Sequence, residues 1–307
     1  MIGRFVLRRL VAIVFISLAI VFFCTLGTEL MHQSSGGISR LEFIPALGRA
    51  LRGTRTYVTS LPRGTLGSVW LGEGRRRAPV PVISVLLDTY TKSMGLLVFS
   101  LAIAAVLGVA AGSVAAIWEG SILSTSVLTS TLLGVSLPSF FIALLLQVVE
   151  IIWYRRTGLR LVPVGGFGWD AHMVLPGLVL AARPLAQIAR VTCVSMSEAA
   201  HQDFVRTAWA KGLSPKQIWG DHVLPNAAVS ILTALGLSMR FSLGSLPVVE
   251  YFFGWPGLGS MLLTAIRARQ LNLLVTLALA LGVTFMIVNL ILDLAYRFVD
   301  PRLRLES

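Results

Sequence analysis

The sequence predicts an all-α, polytopic membrane protein with about six transmembrane helices. Of its 307 residues, 55% are hydrophobic and only 13% are charged, and its mean hydropathy is +0.81. A soluble domain of this length would carry about a quarter charged residues to hydrate its surface. The apolar residues are also gathered into long runs, and a helix needs about 20 such residues to cross the hydrocarbon core of a bilayer.

The predicted spans follow one another along the chain. They cover residues 10–30, 94–118, 125–153, 173–193, 227–249 and 273–295. The first resembles a secretory signal, but no small-x-small cleavage site follows it, so we expect it to remain as a span. The second carries Gly108 and Gly112 at a spacing that suits close contact between helices. The third is long enough to span even though it contains Pro138.

The net charge is +12, and the positions of the basic residues indicate where the spans end. The basic residues stand in short stretches beside the apolar runs, which fits anionic lipid headgroups and lacks the basic face that nucleic-acid binding needs. We therefore expect membrane lipid, and no nucleic acid, as a partner. Arg4, Arg8 and Arg9 before the first span favour a cytoplasmic amino terminus, and six spans then place both termini in the cytoplasm.

Two regions are neither spans nor short turns. Residues 31–92 form a predicted extracytoplasmic segment, rich in Gly and Arg and partly helical around residues 41–51. Residues 194–226 form a predicted cytoplasmic loop that contains helix-capping signals.

The cytoplasmic loop predicts two short helices joined by a tight turn. Gly212 stands where a left-handed cap would end a helix over 203–211. Ser214 is placed to cap a second helix through a capping box with Gln217, and Pro225 is expected to end that helix. The predicted exposed side chains are unusually apolar: Phe204, Trp209, Ile218 and Trp219. Such a surface predicts either a protein partner or a hairpin that rests on the membrane surface.

The same loop resembles the cytoplasmic coupling loop of ABC importer permeases, the EAA motif. Gly212 and the pair Leu224–Pro225 keep the motif's spacing, with thirteen residues from the Gly to the Pro. The triplet at the start of the motif matches Arg206, Thr207 and Ala208, in the form that the dipeptide/oligopeptide/nickel branch uses. Two residues depart from that branch: Pro225 and Trp209 each stand at a position where it commonly has Arg.

Further stretches resemble the first permease subunit of the same branch along nearly the whole chain. They include Arg8–Arg9–Leu10, residues 136–140 (SLPSF), Glu250 with Trp255–Pro256–Gly257 in an outer loop, and Asp293 near the carboxyl end. The Pro-Gly-Asp-Pro that usually follows the first span is missing.

The resemblance implies a type I ABC importer permease with a single transmembrane permease domain over 1–307. Such a subunit is expected in the cytoplasmic (inner) membrane of a prokaryote, forming half of a translocation path for peptides or similar small solutes. Its implied partners are a second homologous permease subunit, two cytoplasmic ATPase subunits and an extracytoplasmic substrate-binding protein. The implied coupling residues are Arg206, Thr207, Ala208, Gly212, Leu224 and Pro225.

No cofactor is expected on this chain. It contains no G-x-x-x-x-G-K-S/T, so ATP and Mg are expected on the partner ATPase subunits. The four histidines (His32, His172, His201 and His222) show no metal-ligand spacing, and we expect no metal site. The alternatives are a secondary transporter or channel without an ATPase partner, or an intramembrane enzyme. The coupling loop, and the lack of an acidic residue near the centre of most spans, argue against a transporter or channel of that kind. Against the enzyme, Ser214 serves better as a helix cap than as a nucleophile.

One charged residue lies inside a predicted span. Arg240 should face a wet cavity or a partner charge, because a charged side chain is costly in the bilayer core. We expect it either in the translocation path or in an ion pair with the second permease subunit, whereas Asp293 is expected to pair with Arg297. The outer loop residues Glu250, Trp255, Pro256 and Gly257 are the other candidates for the path or its gate. Peptides, nickel chelates and oligosaccharides all remain open as substrates.

Overall fold

The computed structural model describes residues 2–34, 43–61, 66–71 and 78–299, and these are almost entirely helical. In chain order the elements are α1 (Ile2–Ser34), α2 (Phe43–Ser60), β1 (Ser68–Leu71), β2 (Ala78–Pro81), α3 (Val82–Ile117), α4 (Ile122–Ser136), α5 (Ser139–Thr157), α6 (Val174–Ala200), α7 (Asp203–Ala210), α8 (Pro215–Gln217), α9 (Leu224–Phe253), α10 (Leu258–Arg267) and α11 (Leu271–Val299). A π-helical segment, Ile218–Val223, joins α8 to α9. The two strands form one antiparallel hairpin in which Ser68 pairs with Pro81.

The prediction of an all-α polytopic membrane protein is confirmed. Within the described residues, five helical stretches are long and apolar enough to cross a membrane, or six if one bent pair counts as a span. The five are Val6–Met31, Val82–Ile117, Ala171–Ala200, Pro215–Phe253 and Leu271–Leu294.

The bent pair covers the predicted third span over 125–153, which is sharply kinked at its proline. Helices α4 and α5 meet at a break of 110° at the Leu137–Pro138 junction. Proline cannot donate a backbone hydrogen bond to the preceding turn, and its ring drives the residue before it out of the helical region. Leu137 accordingly takes an extended conformation (φ −77°, ψ 131°), and Pro138 becomes the cap from which α5 starts.

The boundaries of the two predicted non-spanning segments also change. Helix α3 begins at Val82, so the last residues of the 31–92 segment continue into the second span. Nothing in residues 82–93 breaks a helix, and the Lys92–Asp88 pair (2.6 Å, one turn apart) supports it. The helix expected around 41–51 is present as α2. At the other loop, α6 runs on to Ala200, beyond the predicted end at 193.

The described chain forms two compact units, each with its own apolar core. The first combines Met1–Ser93 with Pro256–Leu290. In it, Val21 of α1, Tyr57 of α2 and Val275 of α11 pack together. The hydroxyl of Tyr57 lies 2.8 Å from that of Thr276, so the buried phenol is satisfied.

The second unit combines Met94–Trp255 with Ile291–Ser307, and α6 lies at its centre. Helices α3, α4 and α9 pack on α6, and the small residues predicted for close contact lie where α3 meets it. A Cβ on Gly108 would lie 3.0 Å from Ile188, and one on Gly112 would collide with the carbonyl oxygen of Ala189. The prediction from the Gly108–Gly112 spacing is therefore confirmed.

Candidate functional site: the helical hairpin between α6 and α9

The hairpin begins directly after α6 with the two-turn helix α7. Asp203 lies in its first turn, where a carboxylate interacts favourably with the helix dipole. The carboxylate of Asp203 also lies 3.7 Å from the guanidinium of Arg206, but both side chains are exposed, so this pair contributes little to stability.

A Schellman motif ends α7 at the predicted glycine. The backbone N–H of Leu213 donates to the carbonyl of Ala208 (3.3 Å), and that of Gly212 donates to the carbonyl of Trp209 (3.0 Å). Gly212 has φ +74°, and no other atom would lie within 4 Å of a Cβ built on it. Glycine is therefore required here by the backbone conformation and not by a lack of space.

The predicted capping box at Ser214 is confirmed. The backbone N–H of Ser214 donates to Oε1 of Gln217 (3.0 Å), and the N–H of Gln217 donates to Oγ of Ser214 (3.4 Å), with Pro215 at the first helical position. These two short-range motifs set the direction of the chain on either side of Gly212.

Pro225 does not end the second helix, which corrects the prediction. The chain continues through the π-helical segment into α9, and the N–H of Leu224 donates to the carbonyl of Trp219, five residues earlier. A proline is tolerated in the first turn of a helix, because its missing N–H would find no partner there. The wider π turn lets α9 begin at Leu224 with Pro225 in that position.

The inner side of the hairpin is part of the core. Val205 and Ala208 of α7 and Ile218 of the π-helical segment are buried in a cluster with residues of α3, α6 and α9. Ile218 is only 1% exposed, so its predicted place on the exposed surface is wrong, and Phe204 and Trp219 are partly buried. Helical periodicity turns these side chains inward, against the ends of three membrane helices. Displacing α7 would therefore displace the ends of those helices.

The outer side of the hairpin is apolar and basic. Trp209 is 51% exposed, and Arg206, Lys211, Pro215 and Lys216 of the hairpin are exposed as well. Of the coupling residues predicted from the sequence, Arg206, Thr207, Gly212 and Pro225 are exposed, Leu224 is partly buried and Ala208 is buried. The structure thus leaves a tryptophan and several cations of the hairpin exposed, and the coupling role of these residues stays a prediction.

Arg240 has a carboxylate partner within the chain. Its Nη2 lies 3.1 Å from Oδ1 of Asp293, and the two side chains are 32% and 19% exposed. This pair was not predicted from the sequence, because Asp293 was expected to pair with Arg297, whose side chain lies outside the described residues. No sequence signal connects positions 53 residues apart, although two opposite charges in apolar spans could have suggested it.

The candidates for the path or gate in the outer loop lie near the end of α9 and in the short connection to α10. Glu250 and Trp255 are fully buried, and Trp255 stacks edge-on against Phe167 (4.8 Å between ring centroids) and Trp169 (5.8 Å). Gly254, in a left-handed conformation, ends α9, and Pro256 and Gly257 lead into α10. The path or gate role of Glu250, Trp255, Pro256 and Gly257 stays a prediction.

The loop before α6 is organised by an aspartate. The backbone N–H of His172 donates to Oδ1 of Asp170 (3.0 Å), and Nδ1 of the His172 ring lies 2.6 Å from the same oxygen. These contacts hold the pKa of Asp170 below its ordinary value.

Two charged side chains in the apolar helices were not among the functional candidates predicted from the sequence. Arg183, in the middle of α6, lies over the ring of Phe241 of α9, 4.2 Å from its centroid. Glu150 of α5 is buried and accepts the backbone N–H groups of Leu161 (2.8 Å) and Val162 (3.3 Å). An isolated charge in an apolar run is the signal that could have identified both.

Comparison with known proteins addresses the chain as a whole. Residues 108–305 match the family described as binding-protein-dependent transport system inner membrane component. This match covers nearly two thirds of the chain and includes the hairpin, α9 and α11.

Several named relatives are similar over most of their length. The chain is 32% identical over 252 residues to the probable peptide ABC transporter permease protein y4tP of Sinorhizobium fredii, covering 81% of this chain and 78% of that protein. It is 34% identical over 229 residues to a putative peptide transport system permease protein of Brucella abortus, covering 74% and 73%. It is 33% identical over 251 residues to the glutathione transport system permease protein GsiC of Escherichia coli, covering 81% and 78%.

Proposed function

This chain belongs to the family of binding-protein-dependent transport system inner membrane components, and we propose that it forms one half of a translocation path with a second, homologous permease subunit. It is a multi-pass inner-membrane protein and the membrane component of an ABC importer, which works in a complex with other subunits. As a transport permease it is not an enzyme, and ATP hydrolysis belongs to a partner subunit.

The proposed substrates are peptides or similar small solutes. This class is suggested by the relatives, whose names refer to peptide and glutathione transport. An extracytoplasmic binding protein would deliver the solute to the path. The choice among short peptides and peptide-like solutes is left to that binding protein and to the side chains that line the path.

The proposed contact with the energy source is the hairpin from Asp203 to Val223. The observation that supports it is that one side of the hairpin is packed against α3, α6 and α9, while the other presents Trp209 and three cations. An apolar side chain surrounded by polar ones is typical of a protein-docking surface. Two cytoplasmic ATPase subunits, which carry ATP and Mg, would bind this surface and the equivalent one on the second permease.

The mechanism follows from this packing. Closure of the ATPases on ATP would pull or push α7, and the buried contacts of Val205, Ala208 and Ile218 would pass the movement to the membrane helices. The spans would then rock between an outward-open and an inward-open arrangement. The stretch from Arg206 to Pro225 is the mechanical connection, and this chain performs no chemical step.

Replacing Gly212 by Val tests the coupling contact. Valine at φ +74° is strained by about 1–2 kcal/mol, enough to shift an equilibrium by a factor of roughly five to thirty. We expect the turn to rearrange, substrate-stimulated ATP hydrolysis and uptake to fall by a similar factor, and membrane insertion to be unchanged. ATP hydrolysis and uptake are measured on the complex in proteoliposomes.

Gly212→Asn is the matched control, because asparagine tolerates the left-handed conformation (φ +74°) that strains valine. It should retain most of the coupling. Equal activity of the Gly212→Val and wild-type complexes would contradict the coupling role. The coupling role would also be contradicted if the hairpin could be cross-linked to lipid and never to the ATPase.

The orientation of the chain is tested by cysteine labelling. With the amino terminus in the cytoplasm and α4–α5 counted as one bent span, Leu159 lies outside and Ser214 inside. In intact cells an impermeant thiol reagent should label Leu159→Cys and not Ser214→Cys. The reverse pattern would mean that α4–α5 is re-entrant or that the amino terminus is outside, and the hairpin could not then meet a cytoplasmic ATPase.

A further inference from the structure

A polar stripe runs along one face of α6, in the middle of a membrane span. Arg183, Gln187 and Arg190 follow one another at intervals of four and three residues, which places them on one side of the helix. Arg183 and Arg190 are exposed and Gln187 is partly exposed. The opposite face is the packed one, since Ile188 and Thr192 are completely buried.

The position of Arg183 along the span argues against a lipid-facing role for it. Arg183 lies about 18 Å along the axis from Ala171, near the middle of the span Ala171–Ala200. A cation at that depth must face a partner charge or a water-filled cavity, because the hydrocarbon core solvates it poorly. Among the described residues, no carboxylate lies within ion-pair distance of Arg183.

The guanidinium of Arg183 is held in place on an aromatic ring. It lies 4.2 Å from the ring centroid of Phe241, and Phe241 is 39% exposed. Stacking on a ring occupies one face of the guanidinium and leaves its N–H edge available to a ligand. The hydroxyl of Ser242 donates to the carbonyl of Leu180 (3.4 Å), which joins α6 and α9 at this level.

The other arginine at this level is already matched by a carboxylate. Arg240, next to Phe241 on α9, forms its ion pair with Asp293. The two arginines therefore differ: the charge of Arg240 is balanced within the chain, whereas Arg183 presents a positioned cation on an exposed face. A planar guanidinium with a free N–H edge is suited to bidentate binding of a carboxylate.

We propose that Arg183, seated on Phe241, binds the carboxylate of the transported solute midway through the path, and that Gln187 and Arg190 continue this polar face toward the hairpin. The proposal rests on the proposed function, since it takes the exposed face of α6 as a wall of the path. The substrate class is then a small solute with a free carboxylate, such as a peptide with an unblocked carboxyl terminus.

The first experiment measures the water access and the electric field of this face in the assembled complex. Cys24 and Cys193 are replaced by Ser, and Gln187→Cys is introduced one turn from Arg183. We expect labelling by small aqueous methanethiosulfonates, with the anionic sulfonatoethyl reagent favoured over the cationic trimethylammonium reagent. Adding Arg183→Gln should reduce that anion preference by roughly tenfold.

Leu178→Cys is the control for this experiment, because Leu178 is exposed about 140° around the same helix from Arg183. It should be labelled poorly, and its small reaction should not depend on Arg183. Absence of labelling at Gln187→Cys with and without ATP would overturn the proposal, because the face would then be covered by lipid or by the second permease. An anion preference that is independent of Arg183 would overturn it as well.

The second experiment measures ATP-driven uptake of tri-alanine and of its carboxyl-terminal amide. The same binding protein is used throughout, so its own preference cancels when variants are compared. Arg183→Gln should lower the acid-to-amide uptake ratio by roughly tenfold to hundredfold, and Arg183→Lys should keep part of it. Arg155→Gln, at the exposed end of α5, should leave the ratio unchanged.

The outcomes separate the inference from the proposed function. A complex that lacks ATP-dependent uptake of any solute contradicts the proposed function. If the complex couples ATP to import but Arg183→Gln leaves its acid-to-amide uptake ratio unchanged, only the inference is contradicted. Loss of assembled complex in Arg183→Gln, with an unchanged ratio in the remainder, would assign Arg183 to a carboxylate of the second permease subunit and overturn the solute site.

Discussion

Replacing Arg240 by Gln should destabilise the chain by an amount near the lower end of the about 3–5 kcal/mol that breaking a buried ion pair costs. The substitution leaves the carboxylate of Asp293 in an apolar helix without the guanidinium that lies 3.1 Å from it. The lower end applies because Arg240 and Asp293 retain 32% and 19% exposure. The measurement is the midpoint of thermal unfolding of the purified chain in detergent.

A double-mutant cycle isolates the pair. Asp293→Asn alone should also destabilise the chain, and Arg240→Gln with Asp293→Asn should cost clearly less than the sum of the two. The matched control is the exposed pair Asp203–Arg206, for which the same cycle should show no measurable coupling. Additive effects at Arg240 and Asp293 would show that the two side chains do not interact in the folded protein.

The cycle also bears on the two roles that the sequence suggested for Arg240. An intrachain partner balances its charge before any second subunit binds, so an inter-subunit pair is not needed to explain an arginine at this depth. A role in the path would require a solute to compete with Asp293 for the guanidinium. Uptake by the double variant, in which both charges are gone, tests that role without the complication of an unpaired carboxylate.

Replacing Gly112 by Val should disrupt the contact between α3 and α6. A Cβ at Gly112 would lie 2.6 Å from the Cβ of Thr192 and would collide with the backbone of Ala189. Because a backbone cannot rotate away as a side chain does, we expect a cost at or above the upper end of the about 1–3 kcal/mol typical of overpacking. The yield of monodisperse protein in detergent and its unfolding temperature should both fall.

Gly244→Val provides the control for this substitution. Gly244 lies within α9, and an added Cβ there would meet nothing within 4 Å in the isolated chain. Its yield and unfolding temperature should stay close to the wild-type values. If Gly112→Val were as stable as Gly244→Val, α3 and α6 would not approach each other as closely as the structure describes.

The sequence by itself determined the features that depend on composition or on neighbours within a few residues. The all-α membrane class followed from the low charge content and the long apolar runs. The end of α7 at Gly212 and the capping box between Ser214 and Gln217 were predictable because each involves hydrogen bonds across three to five residues. The small residues Gly108 and Gly112 indicated a close helix contact, although not the helix that makes it.

Only the tertiary structure decided which distant residues meet and which side of the hairpin is buried. The sequence showed Ile218 and Trp219 as equally apolar, yet Ile218 faces the ends of three helices and is buried. Pro225 is a local signal for the end of a helix. In the structure it instead lies in the first turn of α9, because the π-helical segment before it leads directly into that helix. Arg240 and Asp293 form an ion pair although they lie 53 residues apart, on α9 and near the end of α11. Such pairings depend on the mutual packing of whole helices, which no short stretch of the sequence specifies.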